Sequence, residues 1–225
     1  MKSYGQFCSI AKALEIVGER WTPLILREMM CGSARFNEIH RGIPRMSPSL
    51  LTKRLADMEK AGVIHRVEQT GGYELTEAGW ELKPMVETLG VWGQRWVRGQ
   101  LSDAELDPDL LMWDIRRRMN IDAMPRTRTC LCFEFTDAEK NAALYWLVKS
   151  NEGIELCITD PSYEVDLYVT TDVRSMTEVW NGDVPISAAI ERGRIELHGP
   201  KVLMGAFASW LQLNQFAGIE PASQS

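Results

Sequence analysis

The chain has 225 residues, 45% of them hydrophobic, enough for two small domains or one larger one. No run approaches the roughly 20 apolar residues of a membrane helix, and Met1 is followed by Lys2, Ser3 and Tyr4 rather than by an apolar leader, so a cytoplasmic protein with no membrane partner is expected. The net charge of −6 is unevenly spread: residues 1–100 carry 14 Lys and Arg against 11 Asp and Glu, whereas residues 101–225 carry 11 against 20, so overall acidity does not exclude a nucleic-acid partner for the first half.

In chain order, the first hundred residues read as short helices, a hairpin and a longer helix. "SIAKALEIVG" places Ile10, Ala13, Leu14 and Val17 at helical spacing and stops at Gly18. "TPLILREMMCG" offers Thr22 as a cap, Pro23 at the first helical position and Gly32 as a stop. "SARFNEIHRGI" reads as a third helix, with Phe36 and Ile39 as its buried side. In "MSPSLLTKRLADMEKAG", Ser47 caps, Pro48 starts and Gly62 ends a fourth. "VIHRVEQ" and "GYELTEAG" flank Thr70-Gly71-Gly72 as a two-stranded hairpin. "EAGWELKPMVETLGVWGQRWV" is helical, with Pro84 and Gly90 as places for a bend and Trp80, Trp92 and Trp96 as large apolar groups.

After the polar stretch "GQLSDAELDPD", the pattern changes. "PDLLMWDIRRRM" is a helix, followed by the strand-like runs "RTCLCFEFT", "AALYWLVKS", "GIELCITD" and "EVDLYVTT". Leu131, Phe133 and Phe135 alternate, as do Val165, Leu167 and Val169. Two helices, the short strand "RIELHG" and a final helix "PKVLMGAFASWLQL" complete an α+β domain with a mostly antiparallel sheet. Cys130 and Cys132 share a strand face with Glu134 and are read as packing beneath a helix.

The fourth helix of the first half has two unlike sides. At about 100° per residue, Leu55 and Met58 fall within about 40° of Leu51, and Ser49, Lys53, Ala56 and Lys60 fall opposite. Two short helices before it and a hairpin after it make a winged helix-turn-helix, whose last helix enters the major groove N-terminus first. Lys and Arg suit guanine edges and phosphates, and Ser and Thr are adaptable readers.

The stretch from Cys8 to about Val97 also resembles the HxlR family of bacterial and archaeal transcriptional regulators. The most specific pieces are "GERWTPLILREMMCGSARFNEI" and the run from Met46 to Gly62, where Met46 and Met58 stand at positions the family fills with Ile and Leu. The resemblance implies a prokaryotic homodimer on a palindromic operator in double-stranded DNA, with helices at both ends of the domain making the dimer interface. On this reading Ser49, Thr52, Lys53 and Arg54 read bases. Arg20, Arg35, Arg41 and Arg45 face phosphates, and Arg66, Gln69 and Thr70 form the wing. Cys8 matches the family's N-terminal cysteine, which in some members senses oxidants or electrophiles.

Residues from about 126 to 214 resemble an SCP2-like (sterol carrier protein 2) domain, the resemblance resting on "ERGRIELHGPKVLMGAFASWL" after two helices. It implies an apolar tunnel for a small acyl or sterol-like ligand, with Leu144, Trp146, Leu156, Val179, Trp180, Met204, Phe207 and Leu211 as candidate lining; sequence alone does not separate such a lining from an ordinary core. The expected organisation is therefore an α+β chain of two domains. A DNA-binding and dimerisation domain spans 1–100, a linker and connecting helix 101–125, an SCP2-like domain 126–218, and a tail 219–225. Five cysteines at positions 8, 31, 130, 132 and 157 include no Cys-x-x-Cys pair, and the three histidines are scattered, so neither a metal site nor a cofactor is expected. No nucleophile–base pair or paired carboxylates stand out, and no enzyme is expected. The leading expectation is a ligand-modulated transcription factor. The alternative is a lipid or acyl-ligand carrier in which the winged helix serves only dimerisation.

Overall fold

A computed structural model describes residues 3–97, 101–138 and 143–222. The chain divides into two compact units, residues 1–93 and 94–225.

The first unit contains α1 (Ser9–Val17), α2 (Thr22–Met30), α3 (Phe36–Gly42), α4 (Pro48–Lys60), the hairpin β1 (Ile64–Val67) and β2 (Gly72–Leu75), α5 (Glu77–Glu81) and α6 (Lys83–Trp92). Its core joins Ile25, Leu26 and Met29 of α2 to Ile39 of α3 and to Leu51, Leu55 and Met58 of α4, with Ile64 and Leu75 of the hairpin closing it. The start of α2 differs from the expected cap. Thr22 is itself the first helical residue, and Trp21 occupies the capping position with left-handed backbone (φ 81°) and no side-chain cap bond. A bulky residue adopts that conformation only where its surroundings enforce it, and here the Trp21 ring packs against the core. At α4 the expected cap holds: the Ser47 hydroxyl accepts from the Leu50 amide at 3.4 Å, and Pro48 fills the first turn.

The hairpin pairs Ile64 with Leu75 and Val67 with Gly72, antiparallel, so Gly72 lies in the strand rather than in the turn. Tyr73 also donates its amide to the Ala34 carbonyl at 2.8 Å, tying the wing to the loop between α2 and α3. The long helical run expected after the hairpin is broken at Leu82. Pro84 opens α6, since its ring is tolerated in a first turn but not in a helix interior, and a π-helical turn at Gly93–Val97 follows α6.

The second unit contains α7 (Pro108–Arg118), β3 (Thr129–Phe135), β4 (Leu144–Ser150), β5 (Gly153–Cys157), β6 (Leu167–Thr171), α8 (Val173–Trp180), α9 (Ile186–Glu191), β7 (Ile195–His198) and α10 (Lys201–Trp210). The strands form one sheet in the order β5-β4-β3-β6-β7, in which β3 and β6 run parallel and every other neighbouring pair antiparallel. Leu131, Phe133 and Phe135 of β3 join Val179 of α8 and Phe207 of α10 in the main core. Helix α7, read from the sequence as a connecting element, adds Leu111, Met112 and Ile115 to that core. Its Arg116 donates to the Ile154 carbonyl on β5 at 3.0 Å.

Two expectations for this unit change. The pair Cys130 and Cys132 does not lie under a helix: with Trp146 and Val148 it forms a separate small cluster on the opposite sheet face, against Cys157 and Val165. Val165 precedes β6 and packs with that cluster, whereas Leu167 and Val169 face the main core. The eight residues read as one ligand lining are divided accordingly. Leu156, Val179, Trp180, Met204, Phe207 and Leu211 pack in or against the main core, Trp146 belongs to the other face, and Leu144 is exposed. Alternation along β4 is the reason, because Leu144 and Trp146 point away from the side that carries Tyr145 and Leu147.

Two glycines test this packing. A Cβ added at Gly42 would sit 1.8 Å from the carboxylate of the fully buried Glu28, so Gly42→Ala is expected to destabilise the first unit by about 1–3 kcal/mol. A Cβ at Gly205, inside α10, meets nothing within 4 Å, so Gly205→Ala is expected to stabilise by about 0.5–1 kcal/mol. Urea unfolding of the two variants checks both signs.

Candidate nucleic-acid interface

The interface is built on α4. Burial of Leu51, Leu55 and Met58 orients the helix, and Ser49, Thr52, Lys53, Ala56, Glu59 and Lys60 are then exposed. The hydroxyls near its start are held locally. Ser49 lies 3.3 Å from the Ser47 hydroxyl, and Thr52 donates to the Pro48 carbonyl at 2.9 Å. Both residues are exposed, and a hydroxyl that makes one such bond keeps further hydrogen-bonding capacity, which is what an adaptable reader of base edges needs.

Arg54 departs from the expected set. It is 8% exposed, its guanidinium lies 3.0 Å from Glu19 and 3.5 Å from Asp57, and its Nε is buried without a hydrogen-bond partner. The helical wheel already contained the reason: Arg54 lies only about 60° from the Leu51 direction, on the edge of the buried stripe. It is a structural cation of α4 and is removed from the base-reading set.

The remaining candidates are exposed. Arg20 stands in the turn between α1 and α2 with its guanidinium 5.2 Å from the Trp21 ring centroid. Arg35 immediately precedes α3, where the Glu38 carboxylate accepts from the Ala34 and Arg35 amides at 3.0 Å each. Arg41 and Arg45 lie at the end of α3 and in the loop before α4, both exposed. In the wing, Arg66 lies on β1, and Gln69 and Thr70 lie in the turn, where Thr70 accepts from the Gly72 amide at 3.2 Å.

Glu28 belongs to no recognised site motif in the sequence. Its side chain is fully buried between α2 and α3, where Arg27 donates to it at 3.0 Å and also to the Gly42 carbonyl at 2.9 Å. The available signal was a charge on the stripe that carries Ile25 and Met29. This clasp joins the two helices that precede α4.

At the other end of the unit, Cys8 precedes α1 and is exposed. Backbone hydrogen bonds from Ala11 and then Ile10 pull its thiol below the ordinary cysteine range. The cysteines of the second unit contrast with it, since burial pushes Cys132 up to about 11 and raises Cys130 as well. Among the described residues, no group of His, Cys, Asp or Glu is arranged to hold a metal ion, and no helix is long and apolar enough to cross a membrane.

A family model described as HxlR-like helix-turn-helix matches residues 16–100. The uncharacterized HTH-type transcriptional regulator YdeP of Bacillus subtilis (strain 168) is 33% identical over 94 residues, covering 40% of this chain and 73% of YdeP. An uncharacterized HTH-type transcriptional regulator of Methanothermobacter thermautotrophicus is 33% identical over 106 residues, covering 45% of this chain and 81% of that protein. Among solved structures, quinone-bound YodB from B. subtilis shares 32% identity with a TM-score of 0.36, covering 39% of this chain and 97% of YodB. With an outward polar face on α4, a hairpin behind it and relatives matched over most of their length, the chain belongs to the HxlR-like helix-turn-helix family.

Proposed function

We propose that this protein is a transcriptional regulator that binds a palindromic operator in double-stranded DNA as a homodimer. The observation that carries the reading is the outward face of α4, which is exposed from Ser49 to Lys60 although the opposite side of the same helix is fully buried. Ser49, Thr52 and Lys53 are the base-reading set. Arg20, Arg35, Arg41, Arg45 and Arg66 contribute phosphate contacts, with Gln69 and Thr70 in the wing. An operator selected from random DNA is expected to be palindromic, with half-sites about one helical turn apart. Lys53→Ala should relax preference at one base position and cost about 1–3 kcal/mol, whereas Arg41→Ala should weaken all sequences alike and lower the salt slope by about one. Selection of no sequence by the intact protein overturns the reading.

The dimer is supported by apolar groups that the first unit leaves uncovered. Ile10 and Leu14 on α1 and Leu89 and Trp92 on α6 are exposed, and α6 has no buried residue along its ten. A soluble helix of this composition needs an apolar partner, and a second copy supplies the same surface by symmetry. Trp92→Glu is expected to give a monomer in sedimentation velocity with a folded first unit, and to abolish operator binding at concentrations that saturate the parent.

A sensing role for Cys8 is favoured by its exposure and its lowered thiol pKa, because the thiolate is the reactive form. A depressed pKa means that the thiolate fraction rises at lower pH than in an ordinary cysteine. Iodoacetamide labelling of Cys8 is therefore expected to reach its plateau at lower pH than labelling of a free cysteine peptide, and coincident profiles refute the role. The second unit is read as the modulating half, through a small apolar ligand or through the dimer geometry it holds. Such a ligand regulates only by preferring one arrangement of the dimer over another.

A further inference from the structure

We propose that Arg54 is a positioning residue that locks the recognition helix to the α1–α2 turn through Glu19, and so sets the angle at which Ser49, Thr52 and Lys53 meet DNA. The inference rests on the regulator reading above and deepens it. Arg54 stands in the middle of α4, yet its guanidinium donates to Glu19, 35 residues earlier in the chain, at 3.0 Å, with the residue nearly buried. Asp57, one turn further along α4, lies 3.5 Å away and holds the other terminal nitrogen. With Arg54 only 8% exposed and both terminal nitrogens facing carboxylates, the guanidinium is held at this site rather than extended into solvent.

The turn that presents Glu19 is itself constrained. Gly18 ends α1, the Glu19 carbonyl accepts from the Thr22 amide at 3.0 Å, and Trp21 is held at positive φ. A carboxylate on a rigid turn is a fixed anchor, and the planar fork of arginine transmits its orientation better than a flexible ammonium. The anchor also follows immediately on α1, the helix that carries the exposed Ile10 and Leu14, so displacement of the end of α1 is passed to α4 through one ion pair.

Electrostatics give the test its sign. Glu19→Gln removes a negative charge from a DNA-binding domain, which by itself tightens binding to a polyanion. If Glu19 acts through Arg54, the variant instead weakens operator binding about tenfold, Arg54→Gln weakens it equally, and the double variant is no weaker than either, the coupling expected of residues in contact. The selected base motif and the salt slope stay those of the parent, and Arg54→Lys recovers part of the loss. Tighter or unchanged binding by Glu19→Gln, together with a relaxed base position and a salt slope lowered by about one in Arg54→Gln, makes Arg54 a DNA contact and overturns the proposal. Backbone amide exchange decides the same question without DNA. Glu19→Gln, whose side chain is about one-third exposed and leaves the core intact, should raise exchange jointly at residues 18–22 and in α4 while sparing the β1–β2 hairpin. Exchange confined to the turn refutes the lock. Failure of the parent to select any operator refutes the regulator reading alone, and the exchange result still stands.

Discussion

The arrangement of the first unit depends on one constraint: Leu51, Leu55 and Met58 must be removed from water together. They lie on one stripe of α4, and each is at most 1% exposed. Burying three such side chains contributes several kcal/mol, at about 1.5–3 each, and no rotation of the helix about its axis keeps all three covered. The outward direction of Ser49, Thr52 and Lys53 follows from that packing. Within that packing the Ser49 and Thr52 hydroxyls make contacts to residues of the same helix start, and Lys53 is exposed.

Charged groups refine what the apolar stripe establishes. Glu28, fully buried, is paired with Arg27 where α2 meets α3, and Arg54, nearly buried, is paired with Glu19 where α4 meets the turn after α1. A buried charge left alone is costly; Arg27 and Glu28 share α2, and it is the Arg27 bond to the Gly42 carbonyl that reaches α3, whereas Arg54 and Glu19 tie α4 directly to the turn after α1.

The second unit follows a different logic. Its mixed sheet is covered by helices on the main-core face, and a smaller cluster of Cys130, Cys132, Trp146 and Val148 occupies the other. The thiols there are buried and their ionisation is suppressed, whereas Cys8 is exposed at a helix start and ionises more readily. The same residue type therefore serves packing in one unit and is chemically available in the other.

Much of the first unit was determined by local sequence. Ser47-Pro48 starts α4, the spacing of Leu51, Leu55 and Met58 defines its buried stripe, and the glycines around position 71 mark the wing. These are short-range signals, in which side-chain period and capping chemistry act within one or two turns. The sequence also separated the two halves, through the change from helical to alternating patterns after residue 109. What only the tertiary structure decided depends on residues far apart in the chain. Arg54 reads as a groove contact until Glu19 is placed beside it, and Thr22 reads as a cap until Trp21 takes that position. The assignment of Trp146 and Leu144 to one sheet face, away from Phe207, required the strand register and knowledge of which face the helices cover. Periodicity reports that a side chain is on one side or the other; which side is the core is settled only when the other elements arrive.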